Sequence, residues 1–171
     1  MLLTTGDSRA FDSIRGRHGY VLTFENVSNA QWIGSKVGLS PPNIGLLTLN
    51  ALVTSDLVLI PVQCEFFPME GLPTLIKVMD LVKSRLRASF DFRVVLTMFD
   101  GRTALSRKVQ SQVWSNFGQR ALKTVIPRSV RMAEAPSKGL PGIVYRPKNP
   151  ASEQYRALTK ELLRIQLPVE A

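Results

Sequence analysis

The sequence predicts an α/β protein with a parallel sheet and flanking helices. Three short apolar runs, at residues 57–62, 92–99 and 124–126, each lead into a turn. Stretches with helical spacing lie between and around these runs. Strands that alternate with helices in this way are typical of βαβ units, in which the strands run parallel and the helices cover the sheet.

The first run, residues 57–62, is continuous and rich in Leu, Val and Ile, as expected for a strand buried on both faces. Residues 45–53, which follow a Pro-Pro corner, predict a helix before it. Residues 71–86 predict a helix after it, because six apolar side chains share one helical stripe. They are Leu72, Leu75, Ile76, Met79, Val82 and Leu86.

The second run ends at the turn dipeptide Asp100-Gly101, and the third ends at Pro127. Between them, residues 106–117 predict a helix that turns Val109, Val113 and Phe117 inward. Residues 152–167 are amphipathic, with an apolar side made of Tyr155, Leu158, Leu162 and Ile165. We interpret them as a terminal helix packed on the sheet; the alternative is a helix for a membrane surface or a partner.

The first forty residues fit this pattern poorly. Residues 20–24 are compatible with a strand, whereas residues 1–19 have no sustained period and residues 31–40 resemble neither a helix nor a strand. We therefore predict an atypical segment at 1–40 and the α/β domain at 41–171. We also expect the sheet to lack its first strands and to expose part of an edge.

Length and composition exclude several classes of protein. The 171 residues are 44% hydrophobic, which suits one domain with a real core rather than a disordered polycation. One cysteine and one histidine exclude a disulfide framework and a Cys/His metal site. No apolar run approaches the roughly 20 residues of a spanning helix, and no signal-peptide pattern is present. The sequence predicts a cytosolic protein.

The net charge of +9 is concentrated in the second half of the chain. Residues 1–99 have a net charge of +1, whereas residues 100–171 have 13 basic and 5 acidic side chains. Such a cluster indicates a polyanionic partner, usually nucleic acid and sometimes an anionic membrane. The alternative is a solvated basic face that keeps the protein soluble.

Loops that leave the carboxyl ends of parallel strands form the usual ligand crevice of such sheets. In this sequence those loops begin at Gln63, Asp100 and Pro127. The crevice is therefore the place where we expect a binding site.

Five sequence blocks carry a resemblance to a known family. They are PPNIGLLTLNAL (41–52), IPVQCEFFPMEGL (60–72), VVLTMFDGRTALS (94–106), TVIPRSVRMAEAPSKGLP (124–141) and YRPKNPASEQYRALTKEL (145–162). From residue 41 onward the chain resembles the ParA/Soj family of partitioning ATPases, the deviant Walker-type proteins related to MinD. The resemblance implies a parallel-sheet, P-loop NTPase-like fold that is incomplete on its N-terminal side.

The resemblance also implies a function. Members of this family bind ATP and Mg²⁺, dimerise over the nucleotides, coat DNA without sequence preference and release it when a ParB-like partner stimulates hydrolysis. The expected partners are therefore DNA, a ParB-like protein and a second copy of the chain, and the expected location is the nucleoid. Binding without sequence preference needs Lys and Arg on phosphates, with counterion release as the source of affinity.

Specific residues carry over by motif. The family's DNA-contacting arginines correspond to Arg102, after the LTMFD strand, and to Arg131, in the IPR-x-V-R segment. Both lie in the basic second half of the chain. Five further basic residues in that part of the chain are weaker candidates for DNA contact: Arg107, Lys108, Lys123, Lys138 and Lys148.

The resemblance places the border of an adenine site at Met98, Asp100, Pro127 and Arg128. Each has a structural alternative that needs no nucleotide. Pro127 can simply end a strand, and Asp100 can simply begin a turn with Gly101.

The residues that handle phosphate and Mg²⁺ in the family have no counterpart in this sequence. The family's phosphate loop has the form K-G-G-x-G-K-T, and no such segment occurs in the 171 residues. Leu39 stands where the family has the Asp linked to the metal, and a leucine cannot bind Mg²⁺. We expect no catalytic residue and no productive ATP hydrolysis by this chain alone.

Two explanations of the break before residue 41 stay open. Either residues 1–40 come from another reading frame or an unrelated segment, or the protein is a degenerate family member that keeps the DNA-binding half. Two alternative functions also stay open: an active ATPase whose site a partner completes, and a MinD-like membrane-associated module that uses the last helix.

Overall fold

The computed structural model describes residues 21–24, 37–40, 46–64 and 68–165. Its centre is a five-stranded sheet. The strands are β1 (Val21–Phe24), β2 (Val37–Ser40), β3 (Leu57–Gln63), β4 (Asp91–Phe99) and β5 (Ala121–Pro127). Their spatial order is β2-β1-β3-β4-β5, and every neighbouring pair is parallel. The predicted α/β fold with a parallel sheet is confirmed.

The described helices follow the strands in the predicted alternation. They are α1 (Leu46–Val53), α2 (Pro68–Leu86), α3 (Ala104–Phe117), α4 (Val130–Glu134), α5 (Gly142–Tyr145) and α6 (Pro150–Leu163). Two 3₁₀ turns, Gly118–Arg120 and Ala135–Lys138, precede β5 and follow α4. The predicted helices therefore exist, with shifts of a few residues at their ends.

One face of the sheet packs against α1, α2 and α3. Val58, Ile60 and Val62 alternate along β3 and lie in one buried cluster with Leu52 of α1 and Val113 of α3. Alternation with a period of two is what places these side chains on the same face. Valine and isoleucine fill this face of the strand because branched side chains suit a pleated, buried surface.

The opposite face packs against α6. Leu59 and Val95 point to this side, and they form a second cluster with Leu122, Ile126 and Leu158. The apolar residues predicted for the last helix, Tyr155, Leu162 and Ile165, pack against this cluster. The apolar side of α6 therefore covers the sheet, as the terminal-helix interpretation predicts.

An acidic side chain of α6 also binds the edge strand β5. Glu161 accepts hydrogen bonds from the backbone N–H of Lys123, at 2.7 Å, and of Thr124, at 2.9 Å. Burial alone would raise the pKa of Glu161, but these hydrogen bonds and the nearby Lys123 charge outweigh it and lower the pKa. The carboxylate thus occupies donors that an unpaired strand edge would otherwise present.

Two sequence predictions are wrong at the N-terminal side. Residues 37–40, expected to be neither helix nor strand, form β2, and the sheet does contain strands from the first forty residues. The strand predicted at residues 20–24 is confirmed over residues 21–24 as β1, which pairs with both β2 and β3. The predictions for residues 1–20, 31–36, 45 and 166–167 lie outside the described residues.

The prediction that every side chain of the α2 stripe is buried is also wrong at one position. Leu72, Met79 and Val82 are buried as expected, but Leu86 is 51% exposed because the helix ends there. Within the described part of the chain, no helix is long and apolar enough to cross a membrane.

Candidate nucleic-acid interface

Two turns at the carboxyl ends of β4 and β5 form the candidate site. The first comprises residues 98–103 and the second comprises residues 127–131; we call them together the carboxyl-end surface. The backbone N–H of Arg128 donates to the carbonyl of Phe99 at 2.9 Å, and Phe99 and Pro127 are register partners. The two turns are therefore held side by side.

A network of short-range hydrogen bonds fixes the first turn. Thr103 donates through its backbone N–H and its hydroxyl to the carbonyl of Asp100, both at 3.0 Å. The same hydroxyl caps α3 by accepting from the N–H of Ser106 at 3.2 Å. The buried hydroxyl of Ser106 accepts from the N–H of Asp100 and donates to the carbonyl of Cys64, both at 3.3 Å. The turn is thereby fixed to the ends of β3 and β4.

Arg102 and Asp100 form a two-pronged ion pair in this turn. Nε and Nη2 of Arg102 lie 2.9 and 2.7 Å from the two carboxylate oxygens, and the Arg102 N–H donates to Oδ1 at 3.1 Å. The side-chain hydrogen bonds from Arg102 lower the pKa of Asp100 to about 2, and the same pairing raises the pKa of Arg102. The Arg102 side chain is otherwise 91% exposed.

Arg131 lies on the second turn, in the short helix α4. The Ser129 hydroxyl caps this helix by accepting from the N–H of Met132 at 3.4 Å, and it donates to Asn149 at 3.2 Å. Asn149 also caps α6 by accepting from the N–H of Ala151 at 2.9 Å. Arg131 therefore stands on a helix that is anchored to the start of α6.

Arg131, like Arg102, is exposed and paired with a carboxylate. Its Nη1 lies 3.2 Å from Oε2 of Glu134, three residues along the chain. Both arginines proposed from the sequence to contact DNA are thus on the surface with their charged ends within reach of an incoming anion. The sequence motifs do not identify these two ion pairs. The only signal for them in the sequence is the short spacing, two residues from Asp100 to Arg102 and three from Arg131 to Glu134.

The stretch of sequence that contains the two arginines is strongly basic. Residues 101–152 contain ten basic residues and one acidic residue, Glu134. All ten basic side chains are exposed: Arg102, Arg107, Lys108, Arg120, Lys123, Arg128, Arg131, Lys138, Arg146 and Lys148. Exposed positive charge in this excess attracts phosphate without reading sequence.

The four residues proposed to border a nucleotide also meet on the carboxyl-end surface. Met98 is partly exposed and has a left-handed backbone, with φ of +54°, and Pro127 ends β5. Arg128 is exposed and close enough for its charge to contribute to the lowered pKa of Asp100. Asp100 also has the structural role foreseen as its alternative, because it begins the turn with Gly101.

Within the described residues, no group of three His, Cys, Asp or Glu side chains could hold a metal ion. Leu39, which the resemblance sets against the family's metal-linked Asp, is the third residue of β2. The Asp100 carboxylate is paired with Arg102.

Cys64 has a packing role. It is buried at the end of β3, and burial raises the pKa of its thiol to about 11, so the reactive thiolate is scarce at neutral pH.

Known proteins resemble this chain in sequence over most of its length. A family model described as an AAA domain matches residues 39–92. The sporulation initiation inhibitor protein Soj of Bacillus subtilis is 47% identical over 123 residues, which cover 71% of this chain and 49% of that protein. The chromosome partitioning protein ParA of Myxococcus xanthus is 43% identical over 75% of this chain and 46% of that protein.

Solved structures share the fold. Cobyrinic acid a,c-diamide synthase from Mycobacterium smegmatis is 26% identical with a TM-score of 0.59, over 75% of this chain and 46% of that one. MinD from Aquifex aeolicus is 19% identical with a TM-score of 0.59, over 79% of this chain and 56% of that one, and this likeness concerns the fold alone.

The parallel sheet and its helices therefore define a protein with the P-loop NTPase fold. The sequence matches are more specific, since relatives named Soj or ParA are 40–47% identical to this chain. The chain belongs to the ParA/Soj family. It spans about half the length of the curated relatives it matches.

Proposed function

We propose that this chain is the DNA-facing part of a ParA-like partitioning protein and that it binds duplex DNA without sequence preference. The observation that carries the proposal is the carboxyl-end surface, where Arg102 and Arg131 stand exposed on two adjoining turns. Its named relatives are partitioning proteins, which supports the same role. In a cell, such a protein would lie in the cytoplasm on the nucleoid.

The chemistry of the surface suits phosphate rather than bases. An arginine binds a phosphate with two parallel N–H···O bonds, and an exposed guanidinium can do so without desolvating a buried group. Contacts to phosphate position a protein on DNA but carry no sequence information. The proposed binding should therefore be similar for unrelated duplexes and should weaken steeply as salt rises.

Nucleotide chemistry is a separate part of the proposal. In the family, ATP and Mg²⁺ drive dimerisation, and a ParB-like partner stimulates hydrolysis. The chain alone is proposed not to hydrolyse ATP, because its sequence has no phosphate loop and has Leu39 in place of the family's metal-linked Asp. The second candidate, an ATPase completed by a partner, draws support from the gathering of Met98, Asp100, Pro127 and Arg128 on one surface.

Substitution of the two arginines tests DNA binding. Fluorescence anisotropy with two labelled duplexes of unrelated sequence should show that Arg102→Ala and Arg131→Ala each weaken binding about fivefold, equally for both duplexes. Each change should also reduce the slope of log K against log salt by about 1. The matched control is Arg120→Ala, which removes the same charge at the opposite end of the sheet.

The control variant should lose less affinity, because only long-range attraction changes there. Unchanged binding in the Arg102→Ala, Arg131→Ala double variant would refute the proposed DNA contact. For nucleotide, a titration of labelled ATP in Mg²⁺ buffer should show no saturable binding at micromolar concentration; saturation would favour the ATPase candidate instead.

A further inference from the structure

The acidic residues near the carboxyl-end surface have an unusual distribution. From residue 92 to residue 152 the sequence contains only two carboxylates, Asp100 and Glu134. Each of them is paired with one of the two arginines proposed to bind DNA. The same stretch contains nine other basic residues, so its two carboxylates are heavily outnumbered.

The geometry of the better pair imitates phosphate binding. Asp100 occupies Nε and Nη2 of Arg102 with its two oxygens, and a phosphate would use the same fork of donors. Asp100 itself is fixed, because it accepts from the backbone N–H of Arg102 and its own N–H is held by Ser106. The exposed Arg102 side chain is thus the partner that is free to turn away.

A phosphate and the carboxylate compete for the same arginine. Two anions on one guanidinium repel each other, and this repulsion is substantial within a few ångströms. The pKa of Asp100 is about 2, because of the hydrogen bonds from Arg102, so the carboxylate is charged at neutral pH and protonation does not relieve the competition.

We propose that Asp100 and Glu134 are internal substitutes for DNA phosphate. Each carboxylate binds its arginine in the free protein, and the arginine exchanges it for a phosphate when DNA binds. The two pairs therefore keep DNA affinity low and binding reversible. This inference rests on the proposed function. It adds two acidic residues to the determinants of a surface that is otherwise described by its basic ones.

Removing the carboxylate charge tests the inference. Asp100→Asn keeps an oxygen that can accept from the Arg102 N–H, so the turn is retained, while the ion pair is lost. DNA affinity should rise about threefold or more, and Glu134→Gln should raise it in the same direction. The matched control is Glu153→Gln, in the first turn of α6, which removes one negative charge just as Asp100→Asn does. Glu153 makes no ion pair among the described residues.

The comparison with the control separates exchange from general attraction. Affinity that rises more in Asp100→Asn than in Glu153→Gln supports the inference, and an equal or smaller rise overturns it. In an Arg102→Ala background, Asp100→Asn should raise DNA affinity no more than Glu153→Gln does. Weaker binding in Arg102→Ala together with no specific effect of Asp100→Asn would reject the inference and leave the proposed DNA contact standing.

Discussion

Strand β4 carries the same ion pair at each of its two ends, in two different environments. Asp91 and Arg93 stand at its first residues, and Asp100 and Arg102 follow its last residue, each pair two positions apart. The Arg93 side chain is 17% exposed, whereas the Arg102 side chain is 91% exposed. The same two residue types therefore form a partly buried pair at one end and a pair with an exposed arginine at the other.

The contacts of Asp91 explain its structural role. Its Oδ1 accepts from the N–H of Phe92 at 2.7 Å, and Arg93 donates to the Phe92 carbonyl at 2.8 Å in addition to pairing with Asp91. Arg120 approaches Oδ1 at 3.9 Å. Burial works to raise the pKa of Asp91, but the Arg93 and Phe92 hydrogen bonds outweigh it, and the pKa is lowered. This carboxylate is held at several points.

The largest expected effect is on stability at the Asp91 end. Asp91→Asn leaves Arg93 partly buried without its counter-charge, and we expect a loss of about 1–2 kcal/mol in the free energy of unfolding. Asp100→Asn should cost less, since the Arg102 side chain of that pair is exposed and solvent screens its charge. Urea denaturation of both variants, followed by circular dichroism, measures the difference. Equal losses in the two variants would show that burial does not separate the pairs.

Much of this fold is predictable from sequence because the signals are local. Strands β3 and β4 are continuous apolar runs, β4 ends just before the turn dipeptide Asp100-Gly101, and the α6 stripe has a clear helical period. By contrast, β2 is four residues long and contains Gly38 and Ser40, so its own sequence is a weak signal. Its pairing with β1 forms the strand, and such pairing is not visible locally.

The candidate site is only half predictable for a similar reason. Motif spacing identifies Arg102 and Arg131, because a motif fixes position along the chain. The carboxylates that pair with these arginines depend on side-chain geometry, which a motif does not fix. Contacts between distant parts of the chain are harder still to predict: Glu161 accepts from N–H groups that lie 37 and 38 residues away. Contacts over such distances follow from packing of α6 on β5, which periodicity does not specify.

A smaller effect is expected from Arg120. Its guanidinium lies 4.5 Å from the centre of the Phe92 ring as well as near Asp91, so it adds a cation–π contact to the structural pair. Arg120→Ala should lower the free energy of unfolding by about 0.5–1 kcal/mol. The same urea experiment measures it, and a loss as large as that of Asp91→Asn would place the main contribution on Arg120 instead.

The smallest effect concerns salt and distinguishes the pairs without any substitution. Side-chain carboxyl ¹³C shifts, followed from pH 6 to pH 1.5 at low and high salt, report the pKa of each aspartate. The Arg102 side chain is 91% exposed, so salt should screen its charge and move the pKa of Asp100 from about 2 toward the ordinary value.

The Arg93 partner of Asp91 is only 17% exposed and is screened less by salt, so the lowered pKa of Asp91 should change less. Because a lowered folded-state pKa stabilises the protein above the unfolded-state pKa, this contribution is lost as pH falls through the folded-state value. Salt should therefore shift the acid titration of Asp100 while that of Asp91 stays nearly in place. Parallel shifts in both residues would mean that the two ends of β4 share one electrostatic environment.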